Sequence, residues 1–501
     1  MPDKSFLPVD IDRADKFLGY LLIFLTAGFI ALFLYTVLCR IFYPFDLEWM
    51  EGGFIMQGLW LLKGNPLYVA PTIKFIPFLY TPLMSWIAAA FLYVLGTGFW
   101  QVRLVSVFST LGCAALIYLF VKRETGKAAA AFIAAGLLLG AYGVTGFYYD
   151  VIRVDNLLMF LAGTGFYFAF LPHTRRNVVL SAFFLSLSFF AKQTGLFYTA
   201  AVGLYYLLND RKSCFLFSLC AAGFILIPVL YLQYTSHGWF SFYTFDIIST
   251  YSFKPGFVSS LFIPDLLYRL PGLTLLSLGY FLFYVRKKDW FGFLPIATAT
   301  GIAASFLMRN KSGGVENCLI PMIFFEAVLA GIMISGIIKS DKVKLLAMAL
   351  LLVQFYAFKY NPAYSIPGEA DLKTGKKVLS YLRRQDSSVW LLDHTYHPAM
   401  LGRWPQIHNM AIYDVWRTGK PVGLSLKRMI EEKKFSKIIT SYLTDDDRLH
   451  RYINRNYYQA ALLLPPDDPS FYLKAGFLMR PQYVFLPRKG NDQTSDHVIL
   501  N

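Results

Sequence analysis

The 501-residue chain is 56% hydrophobic and 16% charged and carries a formal net charge of +16. Apolar runs of the roughly 20 residues needed to cross a bilayer recur along it, which excludes an ordinary soluble globular protein. The basic excess needs no nucleic acid, because the cations of a polytopic chain collect on its cytoplasmic loops.

Hydropathy predicts eleven spans, at residues 17–38, 100–121, 129–147, 156–171, 176–191, 195–208, 214–234, 266–285, 290–307, 318–338 and 343–360. The first is too long for a signal-peptide core and no small-residue cleavage site follows it, so it is expected to be retained. The five cysteines all fall in or beside these runs, with no disulfide framework or zinc motif.

One further apolar run, residues 80–95, opens with "YTP" and closes with "GTG". Counting it as a span would reverse the side of everything after it. If it does not cross, Lys122, Arg123, Lys127, Arg175, Arg176, Arg211, Lys212, Arg286, Lys287, Lys288, Lys339, Lys342 and Lys344 all face the cytoplasm, and the positive-inside rule holds throughout. If it crosses, the cytoplasmic side keeps only Arg153, Lys192, Lys254, Arg309 and Lys311 in the corresponding loops. The run is therefore read as an interfacial or re-entrant helix. The N-terminus is then cytoplasmic, and the loop at 40–99, the turns at 148–155 and 192, the loops at 236–265 and 309–317 and the tail from 361 face outward.

That tail is polar. Helix-like "LKTGKKVLSYLRRQ" and "SLKRMIEEKKF" are each followed by a short apolar run, "SVWLLD" and "SKIITSYL", the pattern of a small α/β domain. The expected architecture is a polytopic α-helical membrane module over 1–360, with about eleven transmembrane helices and one re-entrant helix, and an extracytoplasmic α/β domain over 361–501.

Charged residues in the outward loops are the candidates for chemistry. Asp46, Glu48 and Glu51 crowd the exit of the first span; a carboxylate there is placed to take a proton from a substrate hydroxyl, and a solvated loop is the plain alternative. In "GFYYDVIRVDNLLMF" the turn is so short that Asp150, Arg153 and Asp155 must sit at membrane level, where ionisable groups face a cavity or one another; an ion pair that merely closes the turn is the alternative. Lys192 in "FFAKQTGLF", and Arg309 and Lys311 in "FLMRNKSGGVENCLIP", run against the charge bias and suit a phosphate, with Gly313 and Gly314 allowing close backbone approach; for Arg309 a Gly-rich turn with incidental charge is the alternative. Carboxylates and cations over an apolar cavity fit transfer from a lipid-linked phosphate sugar. In "LLDHTYHPAMLGRWPQIHNMAIYD", Asp393, His394, His397 and His408 suggest a metal, but the spacing matches no standard ligand pattern, and a strand-end loop is the preferred reading. No cofactor is expected, with a divalent cation left open.

In order along the chain, "MEGGFIMQGLWLLKGNPLY", "FLYTPLMSWIAAAFLYVLGTGFWQVRLVSVFSTLGCAALIYL", "RVDNLLMFLAGTGFYF", "FFAKQTGLF" and "GGVENCLIP" resemble the GT-C membrane glycosyltransferases. The likeness is to bacterial members of the protein O-mannosyltransferase superfamily that includes the aminoarabinose transferase (glycosyltransferase family 39-like), over about 42–321. The resemblance implies a polyprenyl-phosphate sugar donor, inversion at the anomeric carbon and an acidic pair in the first outward loop. Here that pair falls on Met50 and Glu51, so it is broken, with Glu48 and Asp46 as substitutes for the missing partner. The family's second-loop aspartate falls on Asp155. Its first-loop lysine has no match in "FLYTPL", which leaves phosphate binding to Lys192, Lys311 or Lys74. The catalytic residues expected are Glu51, as general base, with Asp155, Asp46 and Glu48; the substrate-binding residues expected are Asp150, Arg153, Lys192, Lys311, Arg309 and Asn317, and no metal.

The expected function is an inverting hexosyl- or pentosyltransferase of the bacterial cytoplasmic membrane. It moves a sugar from a polyprenyl-phosphate donor to a hydroxyl of a glycan, lipid or protein acceptor on the outer face, among membrane lipids and without nucleic acid. A transporter or flippase of lipid-linked glycans, and a catalytically decayed assembly partner, are the alternatives; related halves and broken midplane helices would mark a transporter.

Overall fold

The computed structural model describes residues 11–285, 290–336, 340–403, 407–419, 424–444, 448–488 and 498–499. Arg286, Lys287, Lys288 and Lys339, which entered the charge argument above, lie outside them. The first half of the chain forms α1 (Ile11–Ile41), α2 (Glu51–Leu62), α3 (Leu83–Leu95), α4 (Phe99–Thr125), α5 (Ala128–Gly140), α6 (Val154–Phe170), α7 (Arg175–Ala191), α8 (Gly195–Asn209) and α9 (Arg211–Thr235). Helices at Pro271–Gly279, Phe293–Asn310, Ile320–Ile334 and Asp341–Ala357 follow. All eleven predicted spans carry helix. Among the described residues four helices are long and apolar enough to cross a membrane singly, and two bent pairs raise that to six.

Local chemistry sets the ends. The α4 helix stops at Gly126, whose left-handed φ of 69° lets its N–H return to Lys122. The side chain of Asp210 caps α9 by accepting from the N–H groups of Lys212 and Ser213. The run at 266–285, expected as one span, breaks at Leu270: Pro271 lacks the N–H a continuing helix needs, and the two arms bend by 92°.

Every residue of Ile320–Ile334 is buried, as befits a helix that is apolar on every side but for Glu326, whose Oε1 accepts from Ser277 at 2.9 Å. The α1 and α9 helices instead expose Phe24 and Ile227, apolar surface suited to lipid. The run at 80–95 becomes α3, at 13 residues too short to span. It packs on α2 where Gly58 leaves room: a Cβ there would lie 2.8 Å from Leu92 Cδ1 and 3.2 Å from the Ala89 nitrogen.

Between α5 and α6 the chain is irregular yet buried, so its carbonyls need partners from elsewhere. Thr110 Oγ1 donates to the Tyr149 carbonyl at 2.9 Å and Asn156 Nδ2 to that of Tyr148 at 2.9 Å.

The polar C-terminal part folds around a five-stranded sheet of order β1-β2-β4-β3-β5, with β1 (Val389–Leu391), β2 (Lys437–Thr440), β3 (Tyr457–Leu462), β4 (Tyr483–Pro487) and β5 (Val498–Ile499). The β1 and β2 strands pair in parallel, with helices Asn409–Arg417 and Leu424–Glu431 in the crossover, and β4 runs antiparallel to both β2 and β3. This sheet sits against the loop between α1 and α2: Leu47 carbonyl oxygen accepts from the N–H groups of Lys474 and Ala475, and the Phe45 ring meets Phe471 edge-on.

Candidate active site

The loop at 42–50 has no regular structure and is held by Arg103 of α4. That guanidinium donates to the carbonyls of Tyr43 and Phe45 at 2.7 Å each, and its Nε and Nη2 donate to Oε1 and Oε2 of Glu51 at 2.9 and 2.7 Å. Glu51 also accepts from the backbone N–H groups of Leu47 at 2.7 Å and Ile152 at 3.0 Å. A fully buried carboxylate with its lone pairs filled in this way suits anchoring, rather than the proton acceptor expected from the sequence. Asp150 is likewise enclosed, ion-paired with Arg40 at 2.9 Å and accepting the Tyr142 hydroxyl at 2.8 Å.

Five other expected residues come together from four elements. Arg153, the residue preceding α6, reaches Oε1 of Glu48 at 3.3 Å; its Nε lies 3.5 Å from Oδ2 of Asp155 in the first turn of that helix. Lys192, immediately after α7, donates to Oδ1 of Asp155 at 2.7 Å, and Asn317 Nδ2 donates to Oδ2 at 2.7 Å. Arg153 also touches the sulfur of Met50, the position where the family pattern has an acid. Lys192 has the most accessible side chain of the cluster, at 14%.

Within this cluster Glu48 has fewer donors than Asp155, only the Met50 N–H at 2.9 Å and Arg153. Burial pushes its carboxyl up to about 8, against the pull of the Arg153 charge.

The remaining expected residues lie elsewhere. Arg309 is bound by Asp265 at 2.8 Å and Glu316 at 3.1 Å, with Arg269 on the same two acids. Lys254 donates to the Gly314 carbonyl at 2.7 Å, and Lys311 pairs through its backbone with Phe253. Lys74 is exposed. Asp46 faces His394 and His397, and among the described residues these three form the one group of His, Cys, Asp or Glu side chains spaced for a metal ion.

Sequence reasoning passed over Arg40, Arg103, Asp265, Arg269 and Glu316. For Arg40 and Arg103 the signal was available, an arginine near one end of a long apolar run, where it must find a partner.

Residues 79–232 match the model of the dolichyl-phosphate-mannose-protein mannosyltransferase family. No curated protein sequence matches the chain significantly. Among solved structures, ArnT from Cupriavidus metallidurans bound to undecaprenyl phosphate aligns with a TM-score of 0.58 at 12% identity, covering 93% of this chain and 98% of that one. The apo state of the same protein aligns with a TM-score of 0.53 at 14% identity, covering 92% and 98%. The resemblance read in the sequence and the likeness of the structures converge: this chain is a multi-pass helical protein with the fold of the ArnT-like GT-C membrane glycosyltransferases.

Proposed function

We propose that the protein transfers a sugar from a polyprenyl-phosphate donor to a hydroxyl of a cell-envelope glycan, lipid or protein on the outer face of the bacterial cytoplasmic membrane. The observation that carries this reading is the buried cluster of Glu48, Arg153, Asp155, Lys192 and Asn317, two carboxylates and two cations drawn from separate elements. The undecaprenyl phosphate of the ArnT structure supports a donor of that kind.

In this reading the acceptor oxygen attacks the anomeric carbon, the bond from that carbon to the phosphate oxygen breaks, and the polyprenyl phosphate leaves with the electron pair. Glu48 takes the acceptor proton in its ionised form, which its raised pKa makes a stronger base. Asp155 orients the acceptor and sets Lys192 and Arg153, whose charges hold the phosphate as negative charge grows on the leaving oxygen. One displacement inverts the anomeric centre. Residues 361–501, docked on the loop that carries Glu48, serve acceptor capture.

The test has two steps. Mass spectrometry of envelope glycans, lipids and glycoproteins from cells with and without the gene identifies the sugar and acceptor. Purified protein in detergent is then assayed with the corresponding polyprenyl-phosphate sugar. Loss of one glycosylated species in the cells and its restoration by the purified protein are expected. An unchanged envelope, with transport of the intact lipid-linked glycan by protein in vesicles, would favour the flippase instead.

A further inference from the structure

The transfer reaction makes no use of Asp46, His394 and His397, although they join the two parts of the molecule. Asp46 lies between α1 and α2, whereas the histidines follow β1, in "DHTYHP". His397 lies in the short helix Tyr396–Ala399 and His394 just before it, and the two imidazoles are nearly parallel, their planes 13° apart and their centroids 5.3 Å apart. Oδ2 of Asp46 lies 3.1 Å from His394 Nδ1 and 3.1 Å from His397 Nε2, and the three residues are 4%, 2% and 1% exposed.

Three features of this arrangement point to a cation. The distances from Asp46 to the two histidines are close to a tetrahedral edge, since bonds of about 2.0–2.1 Å to zinc set neighbouring donor atoms about 3.3 Å apart, and all three donor atoms lie within 4.8 Å of one another. The 3.1 Å contact of His397 Nε2 with Asp46 lacks the geometry of a hydrogen bond, and Nδ1 of the same ring has no hydrogen-bond partner among the described residues. The surroundings are also those of a metal ligand set. Ser441 Oγ, 3.5 Å from His394 Nε2, is placed to take the N–H that remains once Nδ1 binds a metal. The Gly52 N–H at 3.1 Å occupies Oδ1 of Asp46 and leaves Oδ2 for the histidines.

We infer that Asp46, His394 and His397 form a binding site for one zinc-class divalent ion, which clips the C-terminal unit onto the loop at 42–50. Two imidazoles and a carboxylate are the donors such an ion prefers. Its burial makes the role structural, so the inference stands apart from the transferase reading. Because the ligands come from positions nearly 350 residues apart, metal binding favours the docked arrangement directly.

The test uses the full chain, purified in detergent on a tag without histidines. Elemental analysis is expected to find about one zinc per chain. Stripping with 1,10-phenanthroline should lower Tm, one equivalent of Zn2+ should restore it, and Co2+ in its place should give the visible bands of a tetrahedral site. His394→Ala and His397→Ala should retain less than a tenth of the metal, while His408→Ala, which alters a neighbouring histidine outside the set, should bind normally. Asp46→Asn keeps the side-chain shape and the acceptor for Gly52, so it serves if an alanine variant does not fold; it should bind Zn2+ at least tenfold more weakly. A stripped chain that takes up no Zn2+ and shows no change in Tm, or ligand variants that bind as wild type does, would overturn the assignment.

Discussion

Glu51 and Arg103 meet in a two-pronged ion pair, Nε to Oε1 at 2.9 Å and Nη2 to Oε2 at 2.7 Å, with both side chains fully buried. The same guanidinium holds the carbonyls of Tyr43 and Phe45, so the pair fixes the loop on which Glu48 is carried. Removing one partner leaves a buried charge uncompensated, at a cost of about 3–5 kcal/mol.

Glu51→Gln should therefore lower Tm sharply and weaken donor binding and turnover together. The measurements are a thermal melt in detergent beside polyprenyl-phosphate binding. A variant with unchanged Tm and intact donor binding but turnover reduced roughly 10²- to 10⁴-fold would return the general base to Glu51, as its place in the family pattern implied.

Glu48→Gln keeps the shape and the contact with the Met50 N–H but removes the proton acceptor. Turnover should fall roughly 10²- to 10⁴-fold while donor affinity stays within a few-fold of wild type. Near-normal turnover here, with a dead Asp155→Asn, would move the base to Asp155.

The helical architecture was legible because an apolar run long enough for a bilayer has few other fates, and β1 and β2 fall on the two short runs that follow the predicted helices. The break at Pro271 was legible too, had the proline been weighed against the hydropathy. The site divided differently. Arg153, Asp155 and Lys192 stood out because charge at membrane level must have a partner, and they do converge. Sequence could not separate Glu48 from Glu51, since three residues on an irregular loop point wherever tertiary contacts turn them, and Arg103 decides that. It also could not bring Asp46 to His394, because only the docking of the sheet on the loop does so.

Lys192→Ala removes a charged donor from Asp155 and, in the proposed reaction, from the donor phosphate. Contacts of this kind contribute about 1.5–3 kcal/mol, so affinity for undecaprenyl phosphate should fall by roughly 10- to 100-fold. Titration of the purified variant with the lipid measures it; unchanged affinity would transfer phosphate binding to Arg153 or Lys311.

The last prediction concerns pH and the docking of the C-terminal unit. Asp414, in helix Asn409–Arg417, accepts the hydroxyl of Tyr251 from the loop at 236–265, and its Oδ2 has no hydrogen-bond partner among the described residues. Burial pushes this carboxyl up to about 7, against the opposing effects of the Tyr251 hydrogen bond and the Arg417 charge. The folded chain thus keeps a proton that the unfolded chain loses near pH 4, and the native state binds more protons across the interval between. Stability linked to this group falls as pH rises from about 4 to 7 and is level above that. Asp414→Asn presents a neutral isostere that can still accept from Tyr251, so it lacks this loss. The Tm of Asp414→Asn minus that of wild type should grow from pH 5 to pH 7 and flatten by pH 8. A difference that stays constant over that range would mean that Asp414 is ionised throughout and that the Tyr251 contact is held by charge.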